Sequence, residues 1–215
     1  MSSFQRGPKL LKGAIVAIDP NQPRPSTILF QYNPENVQRS LQPQLLGGSG
    51  GQQLETLRYT GAPVETISVE ITIHAADQLE KGDNTAVSFG IHPQLTALEI
   101  LAYPPSAQVV QNGRLADQGA IEIGPYTAPL TLFVWGRNRV MPVTLSSFTI
   151  QEQLFGATLN PIQATVSLAM RALSYSDLNS SHRGYHLFLA YQQVKEKMAR
   201  MWIAGGDSAA TGVEI

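Results

Sequence analysis

Cysteine is absent from this 215-residue chain, which excludes disulfides, thiolate zinc sites and iron–sulfur clusters and leaves the compartment open. Charge is scarce too: Asp, Glu, Lys and Arg make up 14% of the residues, well below the usual share of about a quarter. With a formal net charge of −1 and no long basic run, nothing supports binding to nucleic acid through its phosphates. No uninterrupted apolar run approaches the ~20 residues of a membrane helix, so direct membrane insertion by this chain is not expected. The start, MSSFQRGPKLLKGAIVAID, has neither the apolar core nor the small-residue cleavage site of a secretory signal. Synthesis and assembly in the cytoplasm follow as the expectation.

Recognisable catalytic signatures are missing as well. There is no Gly-x-Ser-x-Gly elbow, and the acids show no distinctive clustering. The glycines of Gly47-Gly48-Ser49-Gly50-Gly51 are followed by Gln52-Gln53-Leu54, without the Lys-Ser/Thr pair that a phosphate-cradling loop needs. The acids of Asp77 to Asn84 do not follow the alternating ligand order of a calcium loop. His182 and His186 stand four apart, a spacing that can hold a metal on a helix, but no acid follows His182 and no third ligand suggests itself. No enzyme activity, metal or cofactor is therefore expected.

Neutral polar residues take the place of the missing charge, beside an ordinary 43% of hydrophobic residues. A surface of Gln, Asn, Ser and Thr costs less to desolvate than a charged one and suits burial against partners. The length fits one large domain, or a domain with a small annex, with a sizeable core. Residues 10–18 and 27–32 read as two strands around the turn Asp19 to Pro25, an antiparallel hairpin that stops at Asn33-Pro34. The glycine-rich stretch from Leu45 to Gln53 reads as a flexible loop, able to order against a neighbour. In residues 65–74, Ile67, Val69, Ile71 and Ile73 alternate with Ser68, Glu70, Thr72 and His74, a strand with one core face and one wet or contacting face. His92-Pro93 opens a short helix ended by Pro104-Pro105, and residues 106–128 read as a long connection.

The densest part of the pattern follows. In residues 130–136, Leu130, Leu132 and Val134 share one side and Phe133 and Trp135 the other, so this strand is central to a sheet or pressed against another subunit. Residues 140–154 continue as a long strand or a strand pair, and residues 162–173 alternate again. From His182 to Ile203 the apolar residues Phe188, Tyr191, Val194, Met198 and Met201 or Trp202 recur at helical spacing. Gln192, Lys195 and Glu196 are expected on the outward side of that helix. The tail from residue 204 is small and polar, and is expected to be flexible, like residues 1–8.

FQYNPENV near the start, then LTLFVWG, VMPVTLSSFTIQEQLF, LNPIQATVSLAMRAL and HRGYHLFLAYQQVKEKM, give the chain a resemblance to the contractile injection system tube-protein family of phage-tail-like particles. The resemblance spans residues 9–203 as one tube-like domain, and Phe30 to Pro34 and Leu130 to Leu173 are its most specific parts. It implies an α+β, mainly β fold: an antiparallel tube-type β-barrel or sandwich with a packed C-terminal helix. It further implies a hexameric ring, a tube-initiator or baseplate adaptor between the spike complex and the inner tube, with spike, inner tube and other baseplate proteins as partners. Many relatives carry a small LysM module after this domain; here the sequence ends soon after the final helix, so binding of peptidoglycan is not expected. The candidate subunit or ring interface comprises Tyr32, Asn33, Pro34, Gly47, Gly48, Gly50, Gly51, Phe133 and Trp135. A standalone β-sandwich module for a carbohydrate or protein ligand is the alternative, and it should place several exposed aromatics near polar loops.

Overall fold

The computed structural model describes residues 11–19, 25–45, 58–119 and 128–205. Its seven strands are β1 (Ala14–Ile18), β2 (Ser26–Leu29), β3 (Val37–Gln42), β4 (Val64–His74), β5 (Leu130–Val134), β6 (Val140–Phe155) and β7 (Pro161–Ala172). They form one sheet in the order β2-β1-β5-β6-β7-β4-β3, antiparallel at every pairing. Among the described residues five helices accompany it: α1 (Ala76–Glu80), α2 (Asn84–Phe89), α3 (His92–Glu99), α4 (Ser106–Asp117) and α5 (Arg183–Gly205). The mainly β, antiparallel fold with a C-terminal helix is the expected one.

Closure into a barrel is not found. The sheet ends at β2 on one side and β3 on the other, with no pairing between them among the described residues. These two edge strands are nonetheless consecutive in sequence, joined by Phe30 to Asn36. So short a link is close to the limit for spanning a flat seven-stranded sheet, and the sheet curls to bring its edges nearer. Midway along the link, the Gln31 side chain donates to the His74 carbonyl at 2.8 Å and accepts from the His74 N–H at 2.9 Å. A glutamine amide stands there in place of a backbone ladder, fixing the curl without completing a barrel.

The alternation in β4 sorts the two faces. Ile67, Val69, Ile71 and Ile73 are buried and lie opposite Met170, Leu168, Val166 and Ala164 of β7. Leu145, Phe148 and Ile150 of β6 continue this apolar layer, because a bulge between Leu145 and Ser147 inserts one residue and restores the phase. Ile91, Leu95 and Leu98 around α3, and Phe188 and Tyr191 of α5, cap the same face. The turn into α3 needs glycine: Gly90 has φ +58°, and a Cβ there would meet the Pro161 carbonyl oxygen at 2.2 Å.

Four expectations change. Asp77 to Asn84, read as a polar loop, forms α1 and leads into α2, which Asp83 caps by accepting from the Thr85 and Ala86 N–H groups. α4 occupies the start of what looked like a connection, and buries none of its residues. β3 was not anticipated, because VQRSLQ has too few apolar residues to announce a strand. Among the described side chains, the apolar stripe on α5 reaches the core through Phe188 and Tyr191; Met198 and Met201 are exposed, and Trp202 is 83% exposed.

Candidate functional site

The most heavily engaged polar cluster sits where α5 crosses the sheet edge. Glu65 is on the core side of β4, in phase with Ile67, and only 1% exposed. Arg39, two residues off on the neighbouring β3, donates Nε to Glu65 Oε1 at 2.8 Å and also bonds it through Nη2. Lys195 of α5 donates Nζ to Oε2 at 3.0 Å, and its ammonium lies 4.2 Å from the centre of the Tyr191 ring. The Tyr191 hydroxyl donates to Glu65 Oε1 at 3.3 Å and accepts from Arg39 Nη2 at 3.0 Å. A buried carboxylate with both oxygens occupied by two cations and a phenol is thereby compensated.

Electrostatics follow the geometry. Burial opposes ionisation of Glu65, but the hydrogen bonds and charges of Arg39 and Lys195 outweigh it and hold the carboxyl below its ordinary value of 4.5. Burial, and then the Glu65 charge, push Tyr191 up to about 12. The cluster is locked, so it ties α5 to the edge of the sheet and offers no unpaired acid or base for chemistry. Sequence reading missed it, placing Lys195 outward, because Glu65 falls just ahead of the isoleucine run and its partners lie far off in the chain.

The second face of the sheet is different in kind. Gln38, Ser40 and Gln42 of β3, Thr66, Ser68, Glu70 and Thr72 of β4, Thr165 and Ser167 of β7, and Ser147, Thr149 and Gln151 of β6 share it by register. It is broad, almost neutral, and no described helix covers it. The sheet also presents long free edges. β5 pairs with β6 only from Val140 to Val143, so from Thr144 to Phe155 the outer side of β6 has no strand partner among the described residues. At the far end of the β6–β7 hairpin, Leu154, Phe155 and Leu159 are exposed, with Leu154 and Leu159 at φ +54° and +61°.

The candidate interface residues separate. Tyr32 is half exposed, and Pro34 lines a shallow depression with Tyr32, Glu70 and Thr72. Asn33 is a local brace: its Oδ1 accepts from the Gly13 N–H at 2.8 Å, and its Nδ2 donates to the Leu11 carbonyl at 2.9 Å. Gly47, Gly48, Gly50 and Gly51 lie outside the described residues. Phe133 is 0% exposed within its own chain, and Trp135 stacks on it with ring centroids 6.1 Å apart. The two-sided apolar character of β5 is thus that of a central strand, third in the sheet, and Phe133 is not available to a neighbour. His182 Nδ1 accepts from the Gly184 N–H at 3.1 Å, and His186 packs edge-on against Tyr185.

No protein-family model matches the chain, and no curated protein matches it. Among solved structures, it is similar to a chain in the virion of a native gene transfer agent particle, 13% identical at a TM-score of 0.30, over 74% of this chain and 90% of that one. It is also similar, with the same identity and TM-score, to a chain in the tail of an empty gene transfer agent particle of C6 symmetry, over 75% of this chain and 90% of that one. Likenesses of this size carry no functional argument.

Proposed function

We propose that the chain is a structural subunit of a contractile injection system: a tube-initiator or baseplate adaptor that works as a ring, in the expected number of six, joining the spike complex to the inner tube. The family resemblance of the motifs at Phe30 to Pro34 and Leu130 to Leu173 supplies the class. The observation that carries the assembly part is the free outer edge of β6 from Thr144 to Phe155. An unpaired edge invites pairing with another chain unless charge, proline, a bulge or a covering helix blunts it; the bulge between Leu145 and Ser147 interrupts only its start, and beyond it Glu152 is the only charged residue. The neutral second face supports the same reading, since burying or confining it would desolvate few charges.

The sandwich-type binding module has less in its favour. The described strands make one sheet rather than two, and Trp135 stacks on the core residue Phe133. Electron microscopy of particles from cells lacking this gene tests the proposal. Loss of complete particles, or spikes detached from tubes, is the expected result; normal particles in normal number would reject it.

A further inference from the structure

Along the free edge of β2 runs an apolar groove in two connected parts. One, of about 470 Å³, lies between Thr27 to Gln31, the end of β4 at Ile71 and Ile73, and α3 at Pro93, Gln94, Ala97 and Leu98. The other, of about 430 Å³, shares Thr27, Ile28 and Ala97 and continues past Ile100, Leu101 and Tyr103. Phe30 N–H bonds to the Gly13 carbonyl, so by the alternation of an antiparallel ladder Ile28 bonds toward β1, while Thr27 and Leu29 turn their backbone groups away from it. In the wall of the groove, Gln94 Oε1 is buried without a hydrogen-bond partner among the described residues. An edge strand, a facing helix, an apolar floor and an unmet acceptor together describe a seat for an extended segment.

The same chain carries a fitting insert. The β6–β7 tip shows Leu154, Phe155 and Leu159 to solvent, with Leu159 78% exposed. Two leucines held at positive φ are uncommon, and a local conformation that turns apolar side chains outward points to a contact outside the subunit. Asn160 Nδ2 donates to the Ser88 carbonyl at 2.8 Å, bracing the turn against α2, where Val87 and Phe89 are also exposed. Asp19 at one end of the groove is the only charged residue lining it, and residues 154–161 of the tip carry none; the outer edge of β6 supplies backbone groups without a strand partner among the described residues to match those of Thr27 and Leu29.

We infer that the β6–β7 tip of one copy seats in the β2–α3 groove of the next, laying the end of β6 along β2 and burying Leu154, Phe155 and Leu159. Complementary patches on different parts of one chain make a head-to-tail contact, which closes into a ring when the rotation between copies allows. The inference rests on the ring reading above and specifies its contact.

The absence of native cysteine makes the test clean. Ala97→Cys, Leu159→Cys and the double variant replace the chain in particle-forming cells, and purified particles are treated with a short bis-maleimide. The double variant should give a covalent ladder of this chain on denaturing gels, while each single variant gives none. Leu159→Asp should unfold at the native temperature yet enter particles at least tenfold less. Double-variant particles that hold several copies and show no ladder, or a Leu159→Asp chain incorporated normally, would overturn the tip contact and leave the ring reading standing. A single copy of the native chain per particle would overturn both.

Discussion

β4 shows two faces of one strand built to different rules. Toward the helices it presents Glu65, Ile67, Val69, Ile71 and Ile73, all buried, with the lone acid fully matched by Arg39, Lys195 and Tyr191. On the reverse it presents Thr66, Ser68, Glu70 and Thr72, all exposed. The first face holds the fold through area and compensated charge. The second adds little to stability and leaves a wide surface that is easy to desolvate. Separation of the two tasks by a two-residue period means that each can be damaged without the other.

The strongest damage to the folding side comes from truncating a buried aromatic. Phe188, packed edge-on between Tyr175 and Tyr191, should cost about 3–5 kcal/mol as Phe188→Ala, seen as a lowered urea midpoint with the slope unchanged. Next comes Arg39→Ala, which leaves buried Glu65 with Lys195 as its one cation beside the Tyr191 hydroxyl. A loss of about 2–4 kcal/mol is expected, somewhat below that of a fully buried pair because Arg39 is partly exposed. An unchanged midpoint would mean that the cluster is ornament.

Acid sharpens the same point. The Glu65 pKa is lower in the folded chain than its ordinary 4.5, so its contribution is complete above about pH 4.5 and is lost as pH falls through the folded value. Between neutral pH and pH 5, Glu65 should leave stability flat. Glu65→Gln should lower stability at neutral pH and weaken the fall below pH 4.5. An acid limb identical in both proteins would assign that fall to other carboxylates.

The outward side should answer differently. Ser68→Ala and Thr149→Ala should each move stability by no more than about 0.5 kcal/mol. His182→Ala with His186→Ala should cost about 1 kcal/mol, through the lost cap on the Gly184 N–H, and added zinc should not shift the unfolding temperature of the native chain. A zinc-dependent rise abolished by that double substitution would reopen the metal reading.

Strands with strict alternation were legible from the residues alone: ETISVEITIH and the run after Asn160 each announce a half-buried strand, and both are there. β3 was not legible, because its polar residues gain their place from pairing with β4 and its Arg39 from Glu65, neither of which is local. α4 escaped for a related reason: VVQNGRLAD has weak helical patterning and no core to face. Two-sided apolarity in β5 allowed a central strand or a subunit contact, and only the sheet order decides for the former. The hairpin tip gave no signal, since exposure of Leu154 and Leu159 depends on where the β6–β7 turn closes.

The ring is the central claim, and native mass spectrometry of the complex released gently from purified particles tests it most directly. The account predicts a discrete multiple of the 23.3 kDa chain, six copies being the expected number, which dissociates when the β6–β7 tip is altered. Isolated single copies from intact particles would contradict it.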